Sequence, residues 1–152
     1  MRILPEIEAT RQAGGAIVAL ESTLIGHGLP HPDNIEVARS AEAAVRGSGA
    51  VPATMAVLDG VAHVGLDDDT INRLATTPGV VKLSRRDLPA ALSGASSMPA
   101  VGATTVSATM ILAHQADIPV FATGGIGGVH RGVTDSMDIS ADLFELSATP
   151  VA

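Results

Sequence analysis

PVFATGGIGGVHRGVTDSMDISADL, residues 119–143, sets a short apolar run directly against a burst of glycines, a His-Arg pair and three aspartates. An apolar run that breaks into glycine is how a buried strand of an α/β sheet hands its carboxyl end to a ligand-binding turn. Gly124, Gly125, Gly127 and Gly128 remove every Cβ from that turn, so the backbone is free to take positive φ and approach an anion closely. Arg131 adds a planar fork suited to phosphate or carboxylate. The spacing is not a dinucleotide fingerprint, because His130 stands where the third glycine belongs. A plain tight connection uses the same residues.

Asp135, Asp138 and Asp142 follow at i, i+3, i+7, and on one continuous helix all three carboxylates would share a face. Two readings stand side by side. Such a group repels itself unless a hard cation such as Mg²⁺ or Mn²⁺ neutralises it, and these ions need only one or two protein carboxylates plus water. The other reading is an exposed acidic helix start, with Asp135 as its cap.

Working outward, AIVAL (16–20) is continuously apolar, as a central parallel strand should be, and ends on Glu21. A carboxylate placed directly after a buried strand is costly unless paired or used. Glu21 is therefore either a cap or arginine partner, or a working group. Asp33 followed by Glu36 predicts a capped helix to residue 46, with Ile35, Ala38, Ala41, Ala44 and Val45 inward and Glu36, Arg39, Glu42 and Arg46 in solvent. ATMAVL (53–58), Asp59-Gly60 and VAHV (61–64) carry a strong hairpin signal, with His63 a structural residue. Asp67 or Asp68 caps a short helix through Ile71 and Leu74.

VVKL (80–83) predicts a strand, and its Lys82, with Arg85 and Arg86 just beyond, makes a local basic patch. Such a patch either holds an anionic ligand or covers a sheet edge. A short helix over 87–92 leads into a Gly/Ser/Pro connection. Gly102-Ala103-Thr104-Thr105 then opens a helix over about 104–116, whose start is either an anion site or an ordinary threonine cap. His114 lies near its carboxyl end.

Composition narrows the function. At 152 residues, 46% apolar, with two Phe and no Tyr or Trp, the chain must build one aliphatic core. A formal charge of −7 argues against a nucleic-acid surface. No cysteine means no disulfide or thiolate chemistry. No apolar run nears membrane-spanning length and no signal sequence opens the chain, which predicts a cytoplasmic protein without membrane contact. The alternation of strands and helices predicts one α/β domain over 1–152, three layers (α/β/α) around a mostly parallel sheet, with a β-hairpin insertion.

Five blocks, ALESTLIGHGLPHPDN (19–34), VPATMAVLDG (51–60), KLSRRDLPAAL (82–92), GATTVSATM (102–110) and ATGGIGGVHRGVTDSMDISADL (122–143), together closely resemble the pseudouridine-5′-phosphate glycosidase family. The resemblance implies a three-layer α/β/α fold, usually as a homotrimer. It implies reversible cleavage of the C–C glycosidic bond of pseudouridine 5′-phosphate to uracil and ribose 5-phosphate, with Mn²⁺. It further implies Glu21 as proton donor, Asp138 as the manganese ligand, and Lys82, Val106, Ser140, Ala141 and Asp142 as substrate-binding residues. The family's Schiff-base lysine belongs to a segment past the last matched block. This sequence stops at Ala152 and has Lys82 as its sole lysine, so the resemblance implies a truncated family domain with impaired glycosidase activity. A catalytically inactive phosphosugar- or nucleotide-binding module and a metal-dependent hydrolase are the alternatives.

Overall fold

The computed structural model describes residues 1–94 and 99–152; part of the predicted Gly/Ser/Pro connection, residues 95–98, lies outside the described residues. The sheet is built around β3 (Val51–Leu58), buried along nearly its whole length. Along one edge β3 pairs antiparallel with β4 (Val61–Val64), and β1 (Arg2–Ile3) lies parallel outside β4. Asp59 and Gly60 join β3 to β4 with φ of 51° and 78°, the two left-handed residues that a tight hairpin turn requires. The predicted hairpin is therefore present, and its first strand is the middle of the sheet.

The other edge of β3 is shared between two branches. Residues 51–54 pair in parallel with β2 (Ile17–Leu20), which is followed outward by β7 (Phe121–Ala122), also parallel. Residues 56–58 pair antiparallel with β6 (Val101–Thr104), which is followed by β5 (Val81–Leu83), parallel to β6. Four of the six pairings are parallel. Because β6 runs against β3 and β2 runs with it, their carboxyl ends meet head to head. Ser22 N–H donates to Thr104 O at 3.2 Å and Thr104 N–H donates to Ser22 Oγ at 2.9 Å. The ends of β5 and β7, carried alongside, converge on the same fork.

Alternate residues of β3 serve opposite cores, as the two-residue strand period demands. Met55 and Val57 face a cluster with Ile7, Leu83, Leu88, Ala108 and Leu112, so α1 (Pro5–Gln12), α4 (Leu88–Leu92) and α5 (Val106–Gln115) lie on that side. Ala56 and Leu58 face Ile25, Ala38, Ile71 and Leu74, which come from a π-helical turn (Leu24–Gly28), α2 (Asp33–Gly47) and α3 (Asp68–Thr76). This is the expected three-layer order. The cores are aliphatic, each fully buried Leu, Ile or Met stabilising by about 1.5–3 kcal/mol.

Several local expectations need correction. Asp33 makes no cap: Pro32 holds the cap position of α2 without a side-chain bond. Proline has no hydroxyl or carboxylate to offer the first amides, and Asp33 already sits inside the helix. Glu42 is half-buried and accepts from Thr54 Oγ1, with burial the main cause of its raised pKa, so it does not face free solvent. Ala41 and Ala44 are exposed instead of packed. Residues 101–104 are the strand β6, where the helix had been expected to open. Asp67 does cap α3, accepting from Thr70 N–H at 2.8 Å. His63 is half-buried in β4, its pKa lowered chiefly by burial, as a structural histidine would be.

The acidic stretch does not form one helix. α6 (Val133–Ser136) ends at Met137, which takes a left-handed φ of 54°, and a separate helix α7 (Ala141–Ala148) begins after Ser140. Asp138 falls between them, so the three aspartates share no helical face, and Gly132 rather than Asp135 holds the cap of α6. α7 lies against α5 in an unusual orientation. Its acidic residues Asp142 and Glu145 are buried at 7% and 1% exposure, while Leu143, Phe144 and Leu146 face outward. One turn apart, the two carboxylates lie on the inward side.

Candidate active site

The fork of the sheet opens into a cleft of about 730 Å³. Each strand end supplies a wall: Glu21 and Thr23 after β2, Lys82 on β5 with Ser84 and Arg86 behind it, and Thr105 and Val106 where β6 becomes α5. The opposite wall is the glycine loop after β7, together with Asp138, Ser140, Ala141 and Asp142. Glu21, Lys82, Val106, Asp138, Ser140, Ala141 and Asp142, far apart in sequence, thus line one space. A second, mostly apolar cavity of about 660 Å³ adjoins it, sharing Glu21, Thr23, Lys82 and Gly125.

Glu21 lies where the two spaces meet. Its carboxylate accepts a hydrogen bond from Thr123 Oγ1, and among the described residues it makes no arginine pair and caps no helix. Burial is the largest influence on it and raises its pKa above the ordinary carboxylate value. The Thr123 hydrogen bond and the charge of Lys82 oppose that rise, whereas the charge of Asp142 adds to it. A carboxyl group held toward its protonated form beside a cleft is chemically fit to act as an acid.

Left-handed backbone does not explain the glycine loop, and close approach does so only at Gly127. None of Gly124, Gly125, Gly127 and Gly128 has a positive φ; Gly132 does, at 77°. At Gly127 a Cβ would overlap Ser140 Oγ and come within 2.9 Å of Asp142 Oδ2. The loop is laid along residues 138–140 by His130 N–H donating to Asp138 O (3.1 Å) and Ser140 N–H donating to Gly128 O (3.0 Å). Arg131 is exposed and does not line the cleft, so its fork is not part of this site.

The amino end of α5 has its own anion. Asp142 Oδ1 accepts from Ser107 N–H at 3.0 Å, and Oδ2 accepts from Gly127 N–H at 2.8 Å. Thr105 supplies the ordinary cap, its side chain accepting from Ala108 N–H. Thr104 is turned inward, donating to Met55 O at 2.8 Å. Of the two readings of this helix start, the threonine cap is present, and the anion beside it comes from within the protein.

The basic patch divides. Arg85 leaves the cleft to pair with buried Glu145 at 2.6 Å and lies 4.7 Å over the Phe144 ring. Lys82 and Arg86 remain as cleft cations. Sequence reasoning missed Glu145 and Thr123 altogether. A Glu spaced i+3 from Asp142 within an apolar helix was the available signal for the first.

Asp138 is exposed in the cleft, with His130 Nδ1 3.9 Å from Oδ2. Among the described residues no group of three or more His, Cys, Asp or Glu side chains is assembled as a metal cage. This donor set fits a hard ion that keeps most of its water and takes further oxygens from a ligand, as Mg²⁺ or Mn²⁺ does. It does not fit a closed zinc site.

Four strand ends, a carboxyl group held toward its protonated form, two cations and a lone carboxylate surround one cleft of an α/β protein at the carboxyl ends of its strands, the place where open α/β sheets hold their ligands. The chain belongs to the indigoidine synthase A like protein family, whose profile matches residues 6–152. It is 60% identical over 152 residues to the pseudouridine-5′-phosphate glycosidase of Rhodospirillum centenum, covering all of this chain and 46% of that protein. Among solved structures it matches the prealnumycin C-glycosynthase AlnA in complex with ribulose 5-phosphate, at 43% identity and a TM-score of 0.86, covering 99% of this chain and 47% of the other. An indigoidine synthase A-like protein from Thermotoga maritima matches at 32% identity and a TM-score of 0.80, covering 96% and 45%. The chain spans about half the length of the relatives it matches.

Proposed function

We propose that this chain carries the phosphosugar-binding and proton-donating portion of a pseudouridine-5′-phosphate glycosidase, which interconverts pseudouridine 5′-phosphate with uracil and ribose 5-phosphate. The reading is carried by one observation: the residues matched to that family, scattered from 21 to 142, line a single cleft. The relative from R. centenum carries that activity in its name, and AlnA is described with a phosphosugar, ribulose 5-phosphate.

Each residue then has a chemical task. Cleaving a C–C glycosidic bond leaves electron density on the departing uracil carbon, and Glu21 delivers the proton there. Lys82 and Arg86 attract the phosphate, while Val106 and the Ser140-Ala141-Asp142 segment shape the sugar's position. Asp138 would hold Mn²⁺, and the bound ion would supply positive charge that favours a phosphosugar in the cleft. No helix among the described residues is long and apolar enough to cross a membrane. The outward Leu143, Phe144 and Leu146 favour a homo-oligomer, a trimer by family, which sedimentation equilibrium would expose as a single monomeric species if that were wrong.

Titration calorimetry with ribose 5-phosphate and Mn²⁺ tests the core of this reading. Ribose 5-phosphate is expected to bind, and Asp138→Asn is expected to weaken Mn²⁺ by at least the roughly 10- to 100-fold that even outer-shell losses cost. An unchanged Mn²⁺ affinity removes Asp138 as the ligand. Absence of any ribose 5-phosphate binding removes the phosphosugar reading and favours a different substrate class.

A further inference from the structure

We propose that Thr123 is the positioning residue of the Glu21 acid: its one hydroxyl hydrogen turns between Glu21 Oε1 and Gly125 O as Glu21 loses and regains its proton. Among the described residues Thr123 Oγ1 meets three groups. It donates to Glu21 Oε1, it can equally donate to Gly125 O at 2.9 Å, and it accepts from Gly125 N–H at 3.2 Å. A hydroxyl has one hydrogen and two lone pairs, so the two acceptors compete for that hydrogen while the amide takes a lone pair. An ionised Glu21 wins the competition, because a hydrogen bond to a charged acceptor is roughly twice as strong as a neutral one. Protonation of Glu21 removes that advantage and leaves the hydrogen to the Gly125 carbonyl.

The inference rests on Glu21 as the acid only for its purpose. As the proton leaves Glu21 for the departing carbon, the carboxyl O–H bond breaks and its electron pair stays on the carboxylate. The Thr123 hydrogen, still bonded to its own oxygen, turns to meet that new charge, so a donor is already in place where charge develops. Thr123 lines only the cavity beside the cleft, whereas Glu21 and Gly125 line both spaces. Thr123 therefore acts through Glu21, and the glycine loop registers the state of the acid. The charges that bear on Glu21 are Asp142 of α7 and Lys82 of β5; Arg86, Asp87, His130 and Asp138 also line the cleft, and His27 lines the adjoining cavity. Among the described residues, Glu21 alone of these groups is a hydrogen-bond partner of the Thr123 hydroxyl.

Carboxyl and amide NMR titrations of this chain test the switch, in the wild type and in Thr123→Val, Thr123→Ser and Glu21→Gln. In the wild type the Gly125 amide resonance is expected to shift with the same midpoint as the Glu21 carboxyl. Valine keeps the branched shape but has no hydrogen to give the ionised form, so in Thr123→Val the Glu21 midpoint should rise and the Gly125 resonance should cease to follow it. Serine should restore both. Glu21→Gln should abolish the Gly125 titration, which separates it from any effect of His27 or His130. A Gly125 resonance that ignores Glu21 in the wild type, or an unchanged Glu21 midpoint in Thr123→Val, would overturn the proposal, and the first of these decides even if the valine variant does not fold. At the position matching Thr123 in a full-length relative, valine is expected to slow uracil release about tenfold with ribose 5-phosphate affinity retained, within the roughly 10²-fold that a 1 Å misplacement can cost. An unchanged rate there overturns the positioning role. Full uracil release by Glu21→Gln in that relative would instead sink the acid reading and leave the titrations to judge the switch.

Discussion

Glu21→Gln, made at the matching glutamate of a full-length relative, is expected to slow uracil release by about 10²- to 10⁴-fold while leaving ribose 5-phosphate affinity essentially intact. The glutamine preserves size and an acceptor for Thr123 Oγ1, so the cleft is not remodelled; only the transferable proton is lost. The pH profile should change with it. Glu21 has a pKa raised above the ordinary value mainly by burial, so the protonated donor persists to higher pH than a free glutamate would. Cleavage that needs this proton falls as pH rises through the raised pKa, and that descending limb should vanish in the glutamine variant. Retention of full uracil release, or of the same limb, would exclude Glu21 as the acid.

Why Glu21 could be singled out, and others could not, follows from what a sequence records. A carboxylate ending a continuous apolar strand is an energetic anomaly visible without coordinates. β2, β5, β7, the hairpin, α2 and α5 were legible for the related reason that apolar runs and periods of burial are local. β6 was not. VGAT is four residues long with a glycine and a threonine, and Gly102 is there because Leu83 of the neighbouring strand would meet any Cβ, a purely tertiary demand.

The acidic stretch shows the same limit from the other side. Its i, i+3, i+7 spacing invites a helix, but the left-handed Met137 interrupts it, so Asp135 stays in α6, Asp138 falls between the helices and Asp142 begins α7. The head-to-head meeting of β2 and β6 likewise depends on strand direction, which no spacing within either strand reveals. That meeting is what brings Glu21 to Lys82. Family resemblance supplied the grouping of site residues, whereas the geometry supplies the reason that Arg131 and Arg85 stand outside the group.

Arg85→Ala is expected to be the most destabilising of the cleft-region substitutions, by about 2–3 kcal/mol at neutral pH, which for a domain of this size lowers Tm by roughly 4–12 °C. The pair is asymmetric. Glu145 is 1% exposed, whereas the Arg85 side chain is 47% exposed. Losing Arg85 leaves a carboxylate inside the protein with Thr149 Oγ1 as its remaining side-chain donor among the described residues, and also removes the guanidinium over Phe144. Losing the charge of Glu145 instead leaves an arginine that water can solvate, so Glu145→Gln should cost distinctly less. Solvent access to Arg85 places the expected loss below the roughly 3–5 kcal/mol of a fully buried pair. In a thermal-denaturation cycle, Arg85→Ala combined with Glu145→Gln should recover part of the Arg85→Ala loss, because the isolated charge is gone. Equal costs for the two single variants, or additive costs in the double, would mean that the pair does not hold α7. With α7 loosened, the segment from Ser140 to Asp142 would lose its support, and ligand affinity should fall in Arg85→Ala even though Arg85 does not line the cleft.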